Sequence, residues 1–159
     1  MNILITGGMS ALAQKLARVF SAEDKVIFGD NVAIPDLLIA GGRYVVIPSG
    51  SSASFNHELL KVGISNESDL IIPLRKDEIV QLAACKDLFA EYGIQLAVPS
   101  HRLLEIVEFI VNPGKDLNTT VLLKGKIAGQ GEPIESLENE SGVCVVSDGG
   151  EELFFCCLA

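Results

Sequence analysis

The stretch that decides the fold is Ile3–Phe20, ILITGGMSALAQKLARVF. A short apolar run turns on Gly7-Gly8 and continues as Leu12, Leu16 and Phe20 at every fourth position, with Gln14, Lys15 and Arg18 on the opposite side. That is a buried strand entering an amphipathic helix, and Ser10 stands where an N-cap is needed. A strand that turns tightly into a helix opens many nucleotide-binding domains. Here Ser10 and Ala13 occupy positions where a dinucleotide fingerprint carries glycines.

Working outward, further apolar runs follow at Lys25–Gly29, Tyr44–Ile47, Leu70–Pro73 and Gln95–Val98. They are short and almost wholly apolar, as parallel strands covered on both faces should be. Ile34–Ala40 reads as either a short helix or a loop, ended by Gly41-Gly42. Ser54 is placed to cap a helix that buries Phe55, Leu59 and Val62. A helix is expected from about Lys76 to Glu91, stopping at Gly93 in a left-handed conformation. A last one is expected from Ser100 to the breaker Asn112-Pro113-Gly114. Alternating strands and helices imply right-handed βαβ units and an α/β fold: a Rossmann-like open parallel sheet of about five strands, order 3-2-1-4-5. This unit takes residues 1–111.

Residues 112–159 follow a different pattern. Thr119–Lys126 reads as a strand and Gly129–Ser141 as a polar loop. Gly142–Ser147 and Glu152–Leu158 form a hairpin around Asp148-Gly149-Gly150. This β-rich extension is too small for a core of its own. Its apolar end, LFFCCLA, must be covered, either by the sheet of the same chain or by a second copy in a homodimer.

Composition limits the function classes. Of 159 residues, 48% are hydrophobic, so the chain folds; Trp is absent and aromatics are few, so the core is aliphatic. A net charge of −9 repels phosphate backbones and argues against nucleic acid. No apolar run is long enough to span a bilayer, so no membrane partner is expected. Met1 leads straight into a strand pattern without a basic leader or cleavage site, which points to the cytoplasm. Cys85, Cys144, Cys156 and Cys157 form no CxxC, and His57 and His101 fit no ligand spacing, so no metal is expected. Cys85 falls at helical spacing with Leu82 and Phe89 and reads as core; His57 falls on an exposed helix face. No catalytic triad is apparent.

Ligands of open α/β sheets bind beyond the carboxyl ends of the strands, where strand order reverses. The expected order puts that crevice between the first and fourth strands. Its candidate ligand-binding residues are Gly7, Gly8, Met9 and Ser10 after the first strand and Pro73, Arg75, Asp77 and Glu78 after the fourth. Asp30 and Asn31 after the second, and Ser49 and Gly50 after the third, lie beside it. Arg75 can hold a carboxylate or phosphate, whereas Asp77 and Glu78 also suit the start of a helix. In an alternative NAD(P) reading, for an oxidoreductase or epimerase, Asp30 would hold a ribose hydroxyl, but the Cβ and hydroxyl of Ser10 would crowd the pyrophosphate.

The segments LITGGMSALAQKLARVF, VIFGD, YVVIPSGSSASFNHELL, DLIIPLRKDEIVQLA and GIQLAVPS, in this order over residues 1–105, resemble the N-terminal pre-ATP-grasp domain of the ATP-grasp, carbamoyl-phosphate-synthase-like ligases. Gly8 and Met9 fall in the last two positions of a TGAR-like turn. Asp30 matches the acid after the second strand, and Pro73 with Asp77-Glu78 matches the proline and acidic pair after the fourth. The resemblance implies a Rossmann-like domain that binds no NAD, packs against an ATP-grasp domain and forms the acceptor-substrate side of its active site. ATP, magnesium and catalytic residues belong to that later domain, which this sequence lacks; GVCVVSDGGEELFFCCLA is similar to only one of its hairpins. The implied role is a ligand-binding or accessory subunit without activity alone, working with a separate ATP-grasp chain or a small molecule. A degenerate, dimerising structural module is the remaining alternative.

Overall fold

The computed structural model describes residues 1–130 and 132–159. Five strands, β1 (Asn2–Ile5), β2 (Lys25–Asp30), β3 (Tyr44–Val46), β4 (Leu70–Ile72) and β5 (Gln95–Leu96), form a parallel sheet in the order β3-β2-β1-β4-β5. This is the expected order. β1 lies at the centre, with Ile5 opposite Phe28 on one side and Ile72 on the other.

The pleat divides the apolar run of β1 between two cores. Leu4 faces a cluster with Ile27, Ile71 and Leu96. Ile3 and Ile5 face the other side, with Phe28, Leu70 and Ile72. Each such side chain is fully buried and contributes about 1.5–3 kcal/mol.

The helices are α1 (Ala11–Ala17), α2 (Asp36–Ala40), α3 (Phe55–Ser65), α4 (Lys76–Ala83), α5 (Lys86–Glu91) and α6 (His101–Leu104). Ser10 caps α1 as expected, its hydroxyl accepting the Ala13 N–H at 3.2 Å. The ambiguous Ile34–Ala40 segment contains the short helix α2. α3 to α5 cover the Leu4 face with Phe55, Leu59, Ile79, Leu82 and Phe89. Ser54 precedes α3 but makes no side-chain cap bond; its hydroxyl meets Ser52 instead.

Two expected helices are corrected. The one over 76–91 is broken between α4 and α5. The Gln81 carbonyl, which would accept the Cys85 N–H in an unbroken helix, lies 3.4 Å from the Asn56 amide, and Cys85 N–H turns to Leu82 O instead. Cys85 is consequently half-buried at the break rather than in a helical core stripe. The helix expected from Ser100 to Asn112 is only the single turn α6, capped by Ser100.

After α6, Ile110–Val111 becomes β6 and joins a second sheet with β7 (Asn118–Leu123), β8 (Lys126–Ile127), β9 (Gly142–Val146) and β10 (Leu153–Cys157), in the order β6-β10-β9-β7-β8. The expected hairpin pairs Leu153 with Val146. The strand expected over 119–126 ends at Leu123, because Lys124 and Gly125, both at positive φ, turn the chain into β8. The expected loop over 129–141 includes a 3-10 turn at Glu135–Leu137; Gly131 within it lies outside the described residues. Val121, Val143, Val145 and Cys156 pack with Leu12, Leu16, Ile3 and Ile5. The second sheet therefore shares the α1 face of the first. β10 is paired on both sides, by β6 and β9. No helix among the described residues is long and apolar enough to cross a membrane.

Candidate functional site

The turn after β1 is shaped by close packing. Gly7 has φ +57°, and a Cβ there would stand 2.8 Å from Leu158 Cδ1. A Cβ on Gly8 would stand 2.5 Å from Phe28 Cβ, so the turn can pass over β2 only without one. Met9 N–H then donates to Asp30 Oδ2 at 2.9 Å. The other oxygen, Oδ1, accepts the Asn31 N–H at 2.8 Å and Arg75 Nη2 at 2.6 Å. Asp30 is 1% exposed. Of the residues expected around the switch point, Met9, Asp30, Asn31 and Arg75 meet, and they bind each other.

That arrangement leaves little for a dinucleotide. The Asp30 carboxylate is shut from solvent and committed to Met9, Asn31 and Arg75, so it does not face a ribose. Leu158 lies against Gly7, and its backbone donates to Leu74 O at 2.7 Å and accepts the Lys76 N–H at 3.2 Å. The crevice between β1 and β4 is thus filled by the end of the second sheet.

Beneath it, Leu74 N–H donates to the Thr6 hydroxyl oxygen at 2.8 Å, and Thr6 donates to Glu78 Oε2. Glu78 is completely buried and its Oε1 has no partner. Burial raises its pKa to about 7, although the Thr6 hydroxyl and the Arg75 charge favour the ionised form. Pro73 is buried at the bend, while Asp77 accepts the Glu78 N–H in the first turn of α4.

The open space lies to one side, between the Gly50–Ser51 loop, α3 and α4. This cleft has a volume of about 760 Å³. Arg75, Lys76 and Asp77 supply charge, and Asn56 and Gln81 supply amides. Gln81 Nε2 donates to Gly50 O at 3.2 Å, tying the loop to α4. Gly50 is needed there, because a Cβ would come within 2.7 Å of the Asp77 carboxyl. Ser49 is not a wall of the cleft; its hydroxyl bonds Ser51. Gly7, Gly8, Met9, Ser10, Asp30, Asn31, Pro73 and Glu78 are also absent from its lining.

Of the sequence candidates, the lining retains Gly50, Arg75 and Asp77. Asn56 and Gln81 were not singled out from the sequence. Both sit in amphipathic helices among ordinary polar positions, and only the packing of α3 against α4 brings them together. His57 is exposed, as expected. The arrangement can bind a small polar molecule through fixed charges and amides. Among the described residues no group of three His, Cys, Asp or Glu side chains could hold a metal ion. In comparisons with known proteins, no family model matches the chain and no curated protein matches it.

Proposed function

We propose that this chain is a non-catalytic, pre-ATP-grasp-like module that binds a small carboxylate-bearing molecule and serves as an accessory subunit to a separate ATP-grasp chain. The observation that supports the ligand half is the cleft beside the carboxyl ends of β3 and β4. There Arg75 is held by Asp30 while still lining the cleft, with Lys76, Asp77, Asn56 and Gln81 around it. A guanidinium anchored on one edge can offer its remaining N–H groups to a carboxylate. Asp77 adds a place for an ammonium, which favours amino acids over simple acids. The accessory half rests on the ordered resemblance over residues 1–105.

Isothermal titration of the full chain with monocarboxylic amino acids and small monocarboxylic acids tests the first half. Saturable binding is expected in the wild type and none in Val80→Trp, in which an exposed position of the cleft wall is filled. A wild type silent to the whole panel, or a Val80→Trp variant that binds as well, sinks the ligand reading. Co-expression with an ATP-grasp chain lacking its own N-terminal module tests the second half, and elution of the two as separate species would end it.

A further inference from the structure

We propose that a second cleft, at the outer edge of β5, is a binding site for a small dianion, a phosphate or paired-carboxylate group, held between Lys86 and Lys124. This cleft has a volume of about 620 Å³ and lies between α5, β5 and the turn joining β7 to β8. It is separate in its lining from the cleft assigned above and does not depend on that reading.

Two lysines from distant parts of the chain line it. Lys86 starts α5 and is half-buried, with its ammonium donating to Val98 O at 3.1 Å. An ammonium has three donors, so two remain. Lys124 sits in the two-residue turn between Leu123 and Lys126 at φ +48°. Such turns favour Asn or Gly at positive φ, and a lysine there is strained by comparison. The turn is nonetheless pinned: Lys124 N–H donates to Ser141 Oγ at 3.0 Å and Gly125 N–H to Glu140 O at 2.9 Å.

The two charges act on each other. Burial holds the Lys86 pKa below its ordinary value; the Glu140 and then the Asp87 charge oppose it, and the Lys124 charge adds to it as the smallest cause. Glu140 forms an ion pair with neither lysine. Its carboxylate oxygens accept Ser100 N–H at 2.8 Å and the Ser100 hydroxyl at 2.6 Å, and neither lysine has an ion-pair partner within 4.0 Å among the described residues. Ser141, 2% exposed, also lines the cleft; its oxygen accepts from Lys124 and its proton makes no hydrogen bond to another described residue. Asn139 adds an amide. Asp87 and Asp69 line the same cleft, and Asp69 accepts the Asn2 N–H at 2.7 Å. These acids repel an anion, so a dianion must sit against the two lysines, and the cleft has no room for an extended polyanion clear of both carboxylates. Such a group would satisfy both ammonium ions and the Ser141 hydroxyl at once.

The test is a titration of the full chain with inorganic phosphate, and in parallel with succinate, followed by the amide resonances of Lys124 and Ser141. Saturable shifts are expected in the wild type with at least one of the two probes. The one that binds more tightly identifies the source of the dianion. Binding should be about tenfold weaker in Lys124→Asn, which suits the turn but removes the charge, and in Lys86→Met. Val80→Trp should titrate like the wild type, which separates this site from the other cleft. No saturable shift with either probe overturns the proposal, as does a Lys124→Asn variant that binds as tightly as the wild type. Should Lys86→Met fail to fold, Lys124→Asn at its exposed turn decides the matter.

Discussion

Arg75 reaches from the start of α4 to the carboxylate of Asp30 at the end of β2, with 2.6 Å between Nη2 and Oδ1. Asp30 has no access to water, so the guanidinium and three backbone N–H groups replace its hydration. Replacing Arg75 by Met would strand that charge. A loss of about 3–5 kcal/mol is expected in urea unfolding. The double variant Arg75→Met/Asp30→Asn should recover part of it. A loss below about 1 kcal/mol in Arg75→Met would show that the pair does not organise the strand ends.

Glu78 makes stability depend on pH in an unusual direction for a carboxyl. Its pKa rises from 4.5 to about 7 on folding, so between these values the native state binds more protons than the unfolded one. Stability from this group is full below pH 4.5 and is lost as pH rises through 7. The loss amounts to about 3 kcal/mol. The difference in unfolding free energy between wild type and Glu78→Gln, measured from pH 4 to about pH 9, should therefore move in favour of the variant as pH rises. A difference independent of pH would place the titration elsewhere.

Gly8→Ala separates turn formation from ligand contact. Gly8 is not among the residues at positive φ, so the cost comes from the new Cβ, 2.5 Å from Phe28 Cβ and 3.1 Å from Gly29 N. Overpacking of this kind costs about 1–3 kcal/mol. Thermal unfolding should show the loss while carboxylate binding survives in the folded fraction. A variant as stable as the wild type would remove the steric account of the turn.

Thiol reactivity should divide the cysteines. Burial pushes the Cys144 and Cys156 thiols up to about 12 and also raises Cys157, whereas Cys85 is half-exposed at the break between α4 and α5. Because the thiolate is the reactive form, an aromatic disulfide reagent should label Cys85 rapidly in the native protein. All four should react in denaturant. Rapid native labelling of Cys156 or Cys157 would mean that β10 is not packed as described.

The parallel sheet was legible in the sequence because its signals are local: apolar runs of strand length, caps such as Ser10, and turns such as Gly7-Gly8. Non-local contacts account for the corrections. Val107, Ile110 and Val111 repeat at helical spacing, yet Ile110 and Val111 pair with Cys156 and Cys157. The gain from completing β10 outweighs a helical preference that is weak by comparison. Asn56, from another element altogether, meets the Gln81 carbonyl left open at the break between α4 and α5. The same holds for the site. Asp30 and Arg75 were recognisable as chemistry, but their pairing, and the filling of the crevice by Leu158, depend on segments far apart in the chain.

The second sheet has a consequence for the order of events during synthesis. Ile3, Ile5, Phe28 and Ile72 emerge from the ribosome well before Val121, Val145 and Cys156, the residues that cover them. Until the later strands arrive, the nascent chain carries a half-clothed sheet, the kind of surface that engages chaperones. Leu158 must then reach back to Leu74 to close the switch point. Maturation therefore runs from the last strands of the chain toward its first turn.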